Sequence, residues 1–191
     1  MSFLKTSILS ALSTVIKLAS GLVVNKIIAI YIGPAGIALI GQFQNFVGII
    51  TTIGNGAINS GVTKYVAEYN EENPEKRNNV IVAAYMITII FSVVIGAIVF
   101  LGSSFISSWI MKSEEYSAVF KLLGILLVFI SFNTVLLSII NGLKRIKLFI
   151  AINISSSLLS LVITSILAIK YQLIGTLYAY ILVQTIVLIV T

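Results

Sequence analysis

From Ile37 to Val62 the chain carries no charge, and this run limits what it can fold into more than any other feature. About 26 residues at roughly 1.5 Å rise make ~39 Å of helix, enough to cross a hydrocarbon layer about 30 Å thick with some tilt. The run follows Gly33-Pro34-Ala35-Gly36. Proline suits a first helical turn there and glycine eases a tight connection. Its polar residues are not scattered: at about 100° per residue, Gln42, Asn45, Gly48, Thr52, Asn55, Gly56, Asn59 and Thr63 share a sector roughly 140° wide. An unpaired amide in hydrocarbon costs several kcal/mol, so this face must look at other helices or at water. Helix packing explains any single amide, with Gly41, Gly48 and Gly56 permitting close approach. A cavity wall explains the stripe as a whole better, because one or two amides suffice for packing and this track runs the depth of a membrane.

Composition agrees with a membrane protein. Hydrophobic residues make up 59% of the chain and charged ones 9%, with a mean hydropathy of +1.12, far from soluble usage. Cysteine, histidine and aspartate are absent, which removes disulfides, thiolate or imidazole metal sites and Ser-His-Asp chemistry. The expectation is a protein that is not an enzyme, with no metal and no cofactor. A net charge of +6 suggests nucleic acid only until the basic residues are placed: they fall mostly at span ends and in short loops, where they orient a chain in a bilayer. No Gly-x-x-x-x-Gly-Lys-[Ser/Thr] phosphate loop is present, so the chain does not itself use ATP.

Hydropathy predicts an all-α membrane protein with spans at about 8–32, 37–62, 80–106, 119–140, 148–169 and 173–191, joined by loops near 33–36, 68–79, 107–117, 141–147 and 170–172. A basic lead, Met1 to Lys5, precedes the first span, whose apolar run is too long for a signal peptide. Ser10, Ser13, Lys17, Ser20 and Gly21 share one face of that span, and Lys26 lies on roughly the opposite side. Lys17 is near mid-span, where a lysine costs about 2.5 to 3.5 kcal/mol to insert, whereas Lys26 can snorkel to an end. In the fifth span Asn153, Ser156, Ser157, Ser160 and Thr164 make a narrow polar stripe. Helical serine and threonine back-bond to their own carbonyls, so that stripe reads as packing more readily than as a site. With a cytoplasmic N-terminus, Lys5, Lys64, Lys76, Arg77, Lys144, Arg145 and Lys147 fall inside, against Lys26, Lys112, Lys121 and Lys170 outside. Seven against four favours that orientation.

The segment YIGPAGIALIGQFQNFVGII, with GAINSGVTKYVAEY after it, resembles the first two spans of the O-antigen and lipid III flippases, the Wzx branch of the polysaccharide-export superfamily that also contains the MATE drug exporters. The specific part is the turn Gly33 to Gly36 and the exit Gly61, Val62, Lys64 and Tyr65; later spans match by hydropathy. The resemblance implies a six-helix transmembrane bundle forming the N-terminal lobe of a V-shaped transporter, with the C-terminal lobe apparently missing. It implies a polyprenyl-diphosphate-linked oligosaccharide moved from the cytoplasmic to the periplasmic leaflet of a bacterial inner membrane by alternating access. Partners would be that lipid-linked substrate, membrane lipid, and polysaccharide polymerase and chain-length proteins, with no nucleic acid. Lys17, Lys26, Gln42, Asn45, Asn55 and Asn59 are the candidate substrate-binding residues, because a diphosphate attracts cations while sugars pair with amides and hydroxyls. All six glutamates lie in connections, unlike the acidic lumen expected of a MATE drug exporter. Other readings are a lipid II or related precursor flippase, and a non-transporting membrane subunit or truncated remnant whose stripes only hold helices together.

Overall fold

Glycine, asparagine and proline divide an almost wholly helical chain into its elements. The computed structural model describes residues 3–191; Met1 and Ser2, together with the side chains of residues 3–7 and of Val190, lie outside the described residues. The helices are α1 (Phe3–Tyr31), α2 (Gly33–Gly54), α3 (Asn59–Glu72), α4 (Pro74–Leu101), α5 (Ser103–Met111), α6 (Ser117–Gly142) and α7 (Ile146–Val190). Non-helical dihedrals at Gln172 divide α7 into two arms, 146–171 and 173–190. The arms fold back on each other, because Ile152 and Val183 belong to one buried cluster and a straight helix would hold them ~46 Å apart. Counting each arm, the described residues form six membrane-length helices: α1, α2, α4, α6 and the two arms of α7.

The stretch 33–36, predicted as a loop, is already the start of α2, and the predicted span 80–106 is broken at Gly102 between α4 and α5. In three further places the chain departs from what hydropathy predicts, each for a local reason. The charge-free run is not one helix. It stops at Gly54, turns through Asn55 to Ile58 and restarts at Asn59. Gly56 and Ala57 take left-handed backbone there, at φ 67° and 55°, and the Asn55 side-chain oxygen accepts from the Ala57 amide at 3.1 Å. Asparagine followed by glycine is turn chemistry, and it prevails over the apolar surroundings.

The polar stretch 68–79 is also almost entirely helical. Asn73 alone interrupts α3 and α4. Its side chain accepts from the Lys76 amide at 3.0 Å, with Pro74 behind it in the first helical turn. Proline here starts a helix instead of opening a loop. Replacing Asn73 by alanine should therefore cost about 1 kcal/mol of stability, measured by denaturant titration in detergent, and an unchanged midpoint would show that the cap contributes nothing. The third departure is in 107–117, where α5 runs on to Met111 before Lys112 turns left-handed and a single 3₁₀ turn, Glu114–Tyr116, leads into α6.

Helix α6 is the axis of the bundle and touches α2, α3, α4, α5 and α7. It meets α4 at backbone contact: a Cβ on Gly96 would lie 2.5 Å from the Gly124 carbonyl oxygen, and one on Gly124 would lie 2.6 Å from that of Gly96. Small residues are what let membrane helices approach this closely. The Thr63 hydroxyl donates across to the Ser138 carbonyl at 3.2 Å, tying α3 to α6. One apolar cluster, with Phe43, Phe120, Leu123 and Leu177, gathers the end of the bundle that holds the α1–α2 turn and the Gln172 fold-back. A second, with Val62, Val66, Val135 and Ile139, gathers the end that holds the α3–α4 junction and the α6–α7 turn.

Candidate functional site

Helix α1 and the two arms of α7 pack along each other, and their polar stripes meet. Lys17, Ser20, Gly21, Val24, Asn25 and Ile28 recur at the three- and four-residue spacing that keeps side chains on one face of α1. Ser156, Ser157, Ser160 and Thr164 do the same on the first arm of α7, as do Thr176, Tyr180, Val183 and Gln184 on the second. With Gln44 of α2 these residues line a cavity of ≈ 450 Å³, within the range of small-molecule sites.

Charge and hydrogen bonding fix what the cavity can do. Among the described residues Lys17 is the one charged residue lining it, and no acidic residue does so. The Ser157 hydroxyl donates to the Asn153 carbonyl at 2.8 Å and Thr176 to the Gln172 carbonyl at 3.0 Å. Their protons are used within the helix, so each offers an acceptor to the cavity. Asn25, Gln44 and Gln184 add amides that both donate and accept. Such a lining suits a ligand that combines an anion with hydroxyls.

Of the six residues named from sequence, Lys17 lines this cavity. Lys26 is exposed on another face of α1. Gln42 and Asn45 are exposed on α2 with Gly48 and Thr52, while Phe43, Val47 and Ile50 are buried among the other helices. The amide track thus lies open on a membrane-length helix but outside the cavity. Asn55, 1% exposed, spends its oxygen on the turn it makes. Asn59 begins α3, its side-chain oxygen buried without a protein partner. Sequence reasoning passed over Asn25, Gln44, Thr176, Tyr180 and Gln184. Gln44 lies between Gln42 and Asn45 in sequence but about 200° and 100° around the helix from them, and only the packing of α2 shows which amide turns inward.

The family described as polysaccharide biosynthesis protein matches residues 3–191. The chain belongs to that family. It is similar to the lipid III flippase of Escherichia coli (strain K12), 29% identical over 144 residues, which is 75% of this chain and 34% of that protein. The lipid III flippase of Shigella flexneri matches with the same figures. The chain spans about a third of the length of these curated relatives. A crystal structure of a MATE mutant superposes with a TM-score of 0.72 at 16% identity, covering 96% of this chain and 42% of that one. At that identity the likeness shows a shared fold. The protein is a multi-pass membrane protein with the helical architecture of half a MATE chain.

A wet cavity makes a direct prediction. In the protein embedded in membrane, Ser157→Cys and Gln184→Cys should react with small aqueous thiol reagents, and Ile50→Cys, buried against the other helices, should stay inert. Inertness at all three positions would make the polar stripes helix packing.

Proposed function

We propose that this chain is the N-terminal lobe of a flippase that moves a polyprenyl-diphosphate-linked oligosaccharide, of the lipid III or O-antigen type, from the cytoplasmic to the periplasmic leaflet of a bacterial inner membrane. The observation that carries this reading is Lys17, an unopposed cation in a cavity otherwise made of hydroxyls and amides. A mid-membrane lysine is costly unless an anion or water compensates it. The diphosphate would sit at Lys17, the sugars would pair with Asn25, Gln44, Gln184 and the hydroxyls, and the prenyl tail would stay in lipid.

The exposed face of α2 supports the two-lobe arrangement. Gln42 and Asn45 carry exposed amides too polar for hydrocarbon, so they would face a wet cleft between this lobe and a second one. Rocking of the lobes would expose the cleft to each side in turn, in the alternating-access mode of transporters built from repeats. Substrate-binding roles for Gln42 and Asn45, and for Lys26 on the exposed side of α1, would belong to that cleft, whereas Asn55 is committed to the turn it makes and the Asn59 oxygen is buried. A cytoplasmic N-terminus follows from the seven basic residues on that side against four on the other. The absence of acidic lining speaks against export of cationic drugs. The protein would be a transporter and not an enzyme, and its coupling would reside elsewhere than in an ATP site.

Complementation tests the proposal. Expressed with its complete gene context in a strain lacking its lipid III flippase, the protein should restore the surface polysaccharide that depends on lipid III. Failure there, together with failure in a strain lacking an O-antigen flippase, at normal protein abundance, would refute the substrate class.

A further inference from the structure

A second concave site lies at the end of the bundle where α1 begins and α6 turns into α7. It is a groove of ≈ 750 Å³ whose polar lining among the described residues is cationic, Lys144, Arg145 and Lys147, and whose apolar wall includes Leu9, Ile146 and Leu148. No acidic residue lines it. The backbone of the turn is fixed: the Lys144 amide donates to the Asn141 carbonyl at 3.0 Å and the Arg145 amide to the Ile140 carbonyl at 3.2 Å. The three cationic side chains are nevertheless exposed. Lys144 and Arg145 stand directly before a membrane-length helix and Lys147 lies in its first turn, which in a bilayer would hold all three near the lipid phosphates.

We propose that this groove binds the headgroup of an anionic phospholipid, a phosphate diester, with the first carbons of its chains against Leu9, Ile146 and Leu148. Three adjacent cations without an acid attract a phosphate. Ile146 and Leu148 are 40% and 39% exposed beside them, and a free anion would leave that apolar wall in water while a lipid covers it. Basic pockets between membrane helices recognise anionic headgroups in this way. The site is separate from the Lys17 cavity and would stand if the flippase reading failed.

Native mass spectrometry of the purified full chain, after exchange into nanodiscs of phosphatidylcholine with or without phosphatidylglycerol, tests this. Phosphatidylglycerol should be retained over phosphatidylcholine, and retention should fall as salt rises to about 0.5 M. The combined Lys144→Gln, Arg145→Gln and Lys147→Gln variant should lose about a hundredfold in affinity, roughly fivefold per cation. Lys144→Arg with Lys147→Arg should keep it, and Lys112→Gln with Lys170→Gln, at the other end of the bundle, should leave it unchanged. Equal retention of the two lipids by the unsubstituted chain, or retention indifferent to salt, would overturn the proposal even if the triple variant did not fold. Displacement of phosphatidylglycerol by inorganic phosphate would make the site one for free anions. Displacement by an equimolar polyprenyl diphosphate would assign it to that lipid instead. Either result overturns the phospholipid assignment.

Discussion

Gly124→Leu is expected to abolish the folded bundle. The first side-chain carbon alone would meet the Gly96 carbonyl oxygen at 2.6 Å and the Phe100 amide nitrogen at 2.8 Å. Both obstacles are backbone, so no rotamer change relieves them. Overpacking of this kind costs about 1 to 3 kcal/mol in a core that can adjust, and two rigid helices in backbone contact adjust less. Because α6 touches five other helices, separating it from α4 loosens every layer at once. A loss of more than about 3 kcal/mol is expected, read as failure to recover a monodisperse protein or as collapse of the denaturation midpoint. Gly41→Ala is the contrast: its new carbon meets nothing within 4 Å, and the gain in helix propensity makes it neutral or stabilising by up to about 1 kcal/mol. Normal stability of Gly124→Leu would show that α4 and α6 do not cross at these glycines.

Lys17→Gln is expected to remove most transport from a flippase containing this lobe, at equal protein abundance. Glutamine is shorter by one atom, keeps hydrogen-bonding capacity and deletes the charge. A charge-assisted hydrogen bond is roughly twice as strong as a neutral one, and no other cation lines the cavity to replace it. A loss of at least about tenfold, or 1.4 kcal/mol, is expected. Lys17→Arg should retain much of the activity, since it keeps the charge on a longer stem. Surface polysaccharide measured beside protein level in a complemented strain checks both. If Lys17→Gln is fully active at normal abundance, the lysine serves assembly, and the substrate's anion is held elsewhere.

Much of this architecture is legible in the sequence because hydrocarbon leaves a chain few alternatives. An apolar, charge-free stretch such as Ile37 to Gly54 is helical as expected of a membrane span, and the spacing of Lys17, Ser20 and Gly21, or of Ser156, Ser160 and Thr164, puts each set on one face whatever surrounds it. What could not be read is which faces meet. Nothing in the local pattern pairs α1 with the arms of α7, so the cavity between them, and the place of Asn25, Gln44 and Gln184 in its lining, are not legible in the sequence. The break at Asn55 and Gly56 was written in turn chemistry but masked by hydropathy, which averages over a window longer than the turn. Pro74 misled in the opposite direction: the same residue that ends helices also begins them, and the cap on Asn73 decides between the two.

The fold-back at Gln172 bears on how the chain enters its membrane. A connection this short gives the two arms of α7 no slack to cross one after the other as independent segments. They are expected to leave the insertion machinery as a preformed helical hairpin, so the second arm, which carries Thr176, Tyr180 and Gln184, never meets lipid without the hydroxyls of the first arm beside it. Biogenesis thereby keeps the most polar part of the lining paired from the moment it is made.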